Sequence, residues 1–334
     1  MSRAFDTSRV ATRYACAWGT CCPRPSPADA PSSRLSDVSV FVIIPVHNRL
    51  DFTRACLASL REQSHRGFTI VVVDDGSTDG THVALATEFP EVTLLWGDGD
   101  LWWTGAMNHG LGWVIPRTAR HDHVLTLNND TALPRDYLET LLGLAKRHPK
   151  ALIGSVAVSW DDHERVVDGG VRIDWRTTRS TSPAAGLTWS QAVERLGEAV
   201  PVSVLSGRGT LIPVEAFRRV GLYDQERLPH YGADWEFARR AQRSGLELLM
   251  SYRTRVFSRE GATGLRPSTQ TLSWRQFVRA YMDVRSPNNL RSRWNFARLC
   301  AEPGAFPLFL GVDVVRTVGG GARRQLGRTH ATTR

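Results

Sequence analysis

Lysine is nearly missing from this chain: of its 42 basic residues only Lys146 and Lys150 are lysine, a bias that reads as genome composition rather than function. No apolar run reaches the length of a membrane-spanning helix, and the N-terminus lacks the apolar core of a signal peptide. The expected location is therefore cytoplasmic, with room for a peripheral position at the inner face of a membrane. Cysteine is scarce and odd in number (Cys16, Cys21, Cys22, Cys56, Cys300), three of the five sit in a polar leader, and none has zinc-like spacing. A disulfide framework is excluded on that pattern and a reduced compartment expected. The full G-x-G-x-x-G fingerprint is also absent: Gly97 and Gly99 do not complete it and do not follow the first strand, which argues against dinucleotide binding.

What the chain has is 334 residues, 42% of them apolar, enough for a substantial core. The net charge of +9 is unevenly spread. Residues 1–265 carry equal numbers of acids and bases, whereas residues 266–334 hold 12 arginines against 3 acids. A neutral body with a cationic extension speaks against nucleic acid and for an anionic surface met by that extension, or for a solvated basic terminus.

The stretch Thr69 to Thr81 (T-I-V-V-V-D-D-G-S-T-D-G-T) organises the rest. Ile70 to Val73 are β-branched and apolar, as in a parallel strand buried on both faces. Asp74 and Asp75 stand at its carboxyl end, and Gly76-Ser77 turn the chain into a helix. Around it the predicted order is a strand over Val38–Ile44, a helix over Asp51–Gln63, the strand ending at Val73, a helix over Thr78–Phe89 and a strand over Val92–Trp96. That alternation implies right-handed parallel crossovers in one α/β sheet. A helix opens in the Gly97–Gly110 stretch, a fourth strand covers Val124–Leu127, a helix Pro134–Arg147 and a strand Leu152–Ser159. Signals weaken from Asp161 to Val200. Then follow a strand at Val202–Leu205, a short helix at Pro213–Val220, a helix from Asp234 to Gly245 and a short strand at Leu246–Met250. Met1–Asp37 reads as a disordered tail and residues 266–334 as basic helices with interleaved aromatics.

Three strand ends bring polar groups to one sheet edge: Pro45-Val46-His47-Asn48-Arg49, Asp74-Asp75-Gly76-Ser77 and Asn128-Asn129-Asp130. Ligands of open α/β sheets bind beyond such ends. Acids and amides there can bond a base and ribose. One remaining carboxylate can hold Mg2+ or Mn2+ against phosphates, because phosphate oxygens and waters complete the octahedron.

Those motifs, with Thr104–Gly110 (T-G-A-M-N-H-G), Leu205–Thr210 (L-S-G-R-G-T) and His230–Ala241 (H-Y-G-A-D-W-E-F-A-R-R-A), resemble the family 2 glycosyltransferases over about Val38 to Thr263. The resemblance implies a GT-A fold, an α/β arrangement with a Rossmann-like, mostly parallel central sheet, helices on both faces and a small antiparallel sheet on the acceptor side. It implies inverting sugar transfer from a UDP- or dTDP-sugar to a glycan, lipid-linked or small-molecule acceptor, of the rhamnosyl type used in bacterial surface glycans.

Carried onto this chain, the resemblance has Pro45, Asn48 and Ser77 lining the nucleotide pocket, Asp75 reading base or ribose and Asp74 bracing the loop. Asn108 reaches the ribose or donor sugar. Asp130 matches the last acid of the family's D-x-D and would hold the metal; Asn128 and Asn129 replace the usual first acid, so they can bond a ribose but bring no charge. Asp234 is the expected general base, since inversion needs a carboxylate opposite the leaving diphosphate and a helix N-terminus keeps it ionised. Glu236 is the fallback. Trp102, partly exposed, and Trp103, buried, floor a sugar site; Gly207, Arg208, His230 and Tyr231 line the acceptor side, with Arg208 pairing a phosphate, Asp234 or Glu236. A histidine that many relatives carry after the last strand is absent, and Glu260 stands in that region. Rival readings are a sugar-phosphate nucleotidyltransferase, which would want glycines in the Pro45–Arg49 loop, and a non-catalytic carbohydrate-binding module.

Overall fold

The computed structural model describes residues 38–259, 279 and 281–331, with side chains as far as residue 319. The expected N-terminal tail and Glu260 lie outside these residues. Four parallel strands form the first half of the sheet: β1 (Val40–Val46), β2 (Phe68–Asp74), β3 (Thr93–Trp96) and β4 (His123–Thr126), in the order β3-β2-β1-β4. The order reverses between β1 and β4, the kind of point beyond whose strand ends the ligands of open α/β sheets bind. Alternation along β1 divides the core. Phe41 and Ile43 face a cluster with Val71, Val73, Met107 and Leu111, whereas Val42, Ile44 and Val46 face another with Leu57, Leu60, Leu125 and Leu141. Helices α1 (Leu50–Arg61), α2 (Thr81–Glu88) and α4 (Tyr137–Arg147) cover the second side; α3 (Trp102–Val114) covers the first.

The second half extends the sheet through β5 (Thr131–Ala132), β6 (Ala151–Ser159), β7 (Val166–Asp168), β10 (Ala199–Pro201), β11 (Thr210–Pro213) and β12 (Glu247–Ser258). The full path is β10-β12-β6-β11-β4-β1-β2-β3. A separate antiparallel pair, β8 (Arg172–Ile173) and β9 (Ser180–Thr181), gives the small second sheet. Helix α5 (Trp189–Leu196) starts at a capping box between Thr188 and Gln191, and α6 (Val214–Val220) and α7 (Ala233–Arg243) pack on the α3 side. Helices α8 (Leu290–Cys300) and α9 (Phe306–Ala331) are fastened by a third cluster in which Ala297, Cys300 and Phe309 meet Trp175 and Val204.

Three expectations change. The strand expected at Val202–Leu205 is instead a loop with a single bridge at Val204, while Thr210–Pro213 is a central strand antiparallel to β4 and β6. Strand β12 runs twelve residues, not five. Strand β1 continues through Pro45, because β1 pairs with β4 only as far as Ile43, so the missing proline N–H falls past that ladder.

Candidate active site

At the carboxyl end of β1 the chain adopts two left-handed residues in a row, Asn48 (φ 58°) and Arg49 (φ 65°). Such strain in an arginine is held by its surroundings and is commonest at functional sites. Here the Asn48 N–H donates to Ser77 Oγ (2.7 Å), Thr78 N–H donates to Asn48 Oδ1 (2.8 Å) and Leu50 N–H to Asp79 Oδ2 (3.0 Å). The β1–α1 and β2–α2 turns therefore form one rim, with His47 Nδ1–H donating to the Asp75 carbonyl (2.6 Å).

Asp74 braces its own turn by accepting the Ser77 N–H (3.0 Å). Asp75 differs from expectation. Its buried carboxylate already accepts N–H groups from Gly99 (2.8 Å), Leu101 (3.3 Å) and Trp102 (3.0 Å), so it fixes the entry to α3 rather than facing a ligand. A Cβ on Gly97 would stand 2.5 Å from Asp75 Oδ1, so only glycine lets that loop close on the carboxylate.

Asn108 is also reassigned. Its amide donates to the Tyr223 carbonyl (2.9 Å) and Gln225 Oε1 (2.8 Å), and its oxygen accepts the Tyr223 N–H (3.1 Å). With Thr104, which bonds the Leu228 and Pro229 carbonyls, it ties α3 to the 223–231 segment that leads into α7. It has no free donor for a sugar.

Trp103 is the hub. Its Nε1–H donates to Asn128 Oδ1 (3.0 Å), and its ring lies so close to Gly207 that a Cβ there would stand 2.1 Å from Cζ2. It is half-buried, not fully buried as expected. Asn129 turns away to Thr53 Oγ1 (3.0 Å) in α1, which removes it from the donor pocket. Asp130 is 2% exposed, and its Oδ1 is buried without a partner. Burial pushes its pKa up, opposed by the charges of Arg208 and Arg49.

On the other side of Trp103, Gly207 N–H donates to Asp234 Oδ2 (2.9 Å) and Trp235 N–H to Asp234 Oδ1 (2.9 Å). Asp234 thus sits half-buried in the first turn of α7, its pKa raised by burial and, to a lesser degree, by the charge of Asp168, and lowered by those two amides. Asp168, the last residue of β7, was not singled out in the sequence. Glu236 does not reach this cleft: it is buried and forks onto Arg240 (2.8 and 2.9 Å). Arg208 bonds neither Asp234 nor Glu236 but Ser258 Oγ (3.1 Å) at the end of β12.

The rim is aromatic and cationic. Trp102, strained at φ 56°, meets His230 edge-on (5.7 Å), and Arg285 lies 5.6 Å over its ring. Burial, and next the Arg285 charge, push His230 down to about 4, so it is neutral at physiological pH. Tyr231 stacks edge-on to His230 (4.5 Å), and burial raises its pKa against the charge of Arg49. A cavity lined by Glu164, Val166, Gly169, Ala184, Leu187 and Thr188 among others contains none of these groups.

Among the described residues no three His, Cys, Asp or Glu side chains gather to cage a metal ion. Asp130 nonetheless suits a divalent cation of the one-carboxylate kind, because it is the one acid of the Asn128-Asn129-Asp130 motif and its Oδ1 is buried without a hydrogen-bond partner.

The family model described as Glycosyl transferase family group 2 matches residues 123–316, more than half of the chain, and that described as Glycosyl transferase family 2 matches residues 41–189. The chain belongs to the family 2 glycosyltransferases. This glycosyltransferase is 31% identical over 215 residues to an N-acetylglucosaminyl-diphospho-decaprenol L-rhamnosyltransferase of Mycobacterium tuberculosis, covering 57% of the chain and 66% of the relative. It is 33% identical over 110 residues to glycosyltransferase GlyA of Streptococcus pneumoniae, covering 32% of the chain and 15% of the relative. The chain therefore spans under two thirds of the length of either relative. Its GT-A fold is shared with GalNAc-T7, solved with UDP, GalNAc and Mn2+, at a TM-score of 0.55 and 16% identity over 78% of this chain and 47% of that one.

Proposed function

We propose that this glycosyltransferase moves a sugar, with inversion, from a UDP- or dTDP-sugar to an acceptor hydroxyl, with Asp234 as general base. The observation that carries the reading is that Trp103 bonds Asn128, two residues before Asp130, and packs on Gly207, whose N–H bonds Asp234. On this reading a carboxylate that can hold the donor's diphosphate side and a carboxylate that can deprotonate an acceptor face one cleft. Each Asp234 oxygen accepts one amide N–H and keeps a second lone pair for the acceptor hydroxyl. As the hydroxyl oxygen bonds to the anomeric carbon, its proton passes to Asp234 and the electrons of the breaking C–O bond leave with the diphosphate. Asp130 would hold the Mg2+ or Mn2+, which when bound neutralises charge on the diphosphate. Trp102, His230 and Tyr231 offer flat faces for sugar rings at the acceptor side, and neutral His230 can bond hydroxyls. Pro45, Asn48 and Ser77 form the rim on the nucleotide side.

The mycobacterial relative's name supports a rhamnosyl donor and a lipid-linked acceptor, and on this proposal the reaction occurs at the inner face of a membrane in surface-polysaccharide biosynthesis. Among the described residues no helix is long and apolar enough to cross a membrane. Exposed Trp294, Leu308 and Val315 on α8 and α9, among arginines, offer an edge for an anionic membrane surface. A panel of nucleotide-sugars tests the reading: release of nucleoside diphosphate that depends on acceptor and on Asp234 supports it, and no release from any donor contradicts it.

A further inference from the structure

The Asn128-Asn129-Asp130 motif carries a single charged group, Asp130, and its asparagines are engaged elsewhere, Asn128 Oδ1 by Trp103 and Asn129 Nδ2 by Thr53. Opposite that motif stands a cation that is not fully used. Arg208 precedes Gly209, whose N–H bonds the Thr126 carbonyl (2.9 Å) at the carboxyl end of β4. Its Nη1 donates to Ser258 Oγ, and Ser258 is the register partner of Thr131, the residue after Asp130. The guanidinium is thereby fixed on the wall next to Asp130. Yet its Nε–H is buried with no partner, as is Asp130 Oδ1, and among the described residues the two form no ion pair. Leaving both a buried donor and a buried acceptor unpaired is costly, and the two persist together where a ligand uses both.

Resting on the glycosyltransferase reading above, we infer that Arg208 binds the donor's diphosphate directly and supplies the fixed positive charge that the two asparagines leave the metal less able to provide. A guanidinium bonds phosphate oxygens in a charge-assisted fork, and Ser258 pre-orients it. Arg49, held left-handed at the end of β1, adds a second positive charge toward the same carboxylate. Part of the diphosphate affinity is then independent of any cation, and it resides in Arg208.

The test titrates the full-length protein with UDP, dTDP and GDP and with the matching monophosphates, in Mg2+ and again in EDTA. For wild type a preference for diphosphate over monophosphate survives EDTA. Arg208→Ala should weaken the bound diphosphate about tenfold or more while leaving the monophosphate nearly unchanged, and should abolish the preference in EDTA. Arg208→Lys, which keeps the charge without the fork, should recover part of it, and also serves if the alanine variant gives no cooperative melt. Equal loss of mono- and diphosphate affinity makes Arg208 structural and overturns the inference, as does unchanged diphosphate affinity in both variants. If wild type binds no nucleoside diphosphate in Mg2+, the reading of the cleft as a donor site falls first.

Discussion

In the proposed mechanism Asp234 is the general base, and its environment sets when it can act. Burial and the neighbouring charge of Asp168 hold its pKa above the ordinary aspartate value against two amide N–H groups. A base works only when ionised, so kcat/KM should fall on the acid limb with a midpoint displaced upward. A negative neighbour disfavours the carboxylate, so Asp168→Asn should move that midpoint to lower pH. A pH-rate profile checks this, and an unmoved limb counts against Asp168 facing the base. Gly207 is as exacting in a steric way. Gly207→Ala would drive a methyl into Trp103, which must then leave Asn128. Turnover should fall steeply while stability drops by only about 1–3 kcal/mol, read by denaturant unfolding with tryptophan fluorescence.

At the scale of elements, α3 is a brace that locates α7. Asn108 stitches it to Tyr223 and Gln225, and Thr104 to Leu228 and Pro229. Asn108→Ala orphans buried backbone groups and should cost on the order of 3 kcal/mol in unfolding experiments, lowering turnover while nucleoside diphosphate affinity is kept. Were Asn108 a sugar ligand, donor affinity would fall with stability intact. The same contrast explains what the sequence could convey. The β-branched run before Asp74 and the alternation of strand and helix made β1 to β4 readable, because each is a local pattern. Strand β11 was not readable: four residues ending in proline become a strand only because β4 and β6 flank them. Asp75, Asn108, Asn129 and Glu236 stood in recognisable motifs, yet their partners (the 99–102 amides, the 223–225 loop, Thr53 and Arg240) are set by tertiary contacts that no spacing encodes. The positions of Asp234, Asp130 and the Trp-Trp pair at strand and helix ends were legible because local pattern sets those ends.

The whole molecule joins the half built on β1 to β4, the donor side in the proposed function, to a half led by α7, the proposed acceptor side, and α8 with α9 pack on Trp175. Those last helices fill a third core, so deleting them would unseat α7 and confuse any binding assay. Surface changes are the cleaner probe: Trp294→Ser with Leu308→Ser should reduce flotation with anionic vesicles severalfold and leave the melting temperature near wild type. Equal flotation would reduce these helices to packing elements. Everything converges on the cleft between the two halves. The most direct measurement is Asp234→Asn assayed for turnover and for nucleoside diphosphate binding on the same preparation. Turnover lowered by about 10²–10⁴ with binding preserved is the predicted result; turnover at the wild-type rate would contradict the account.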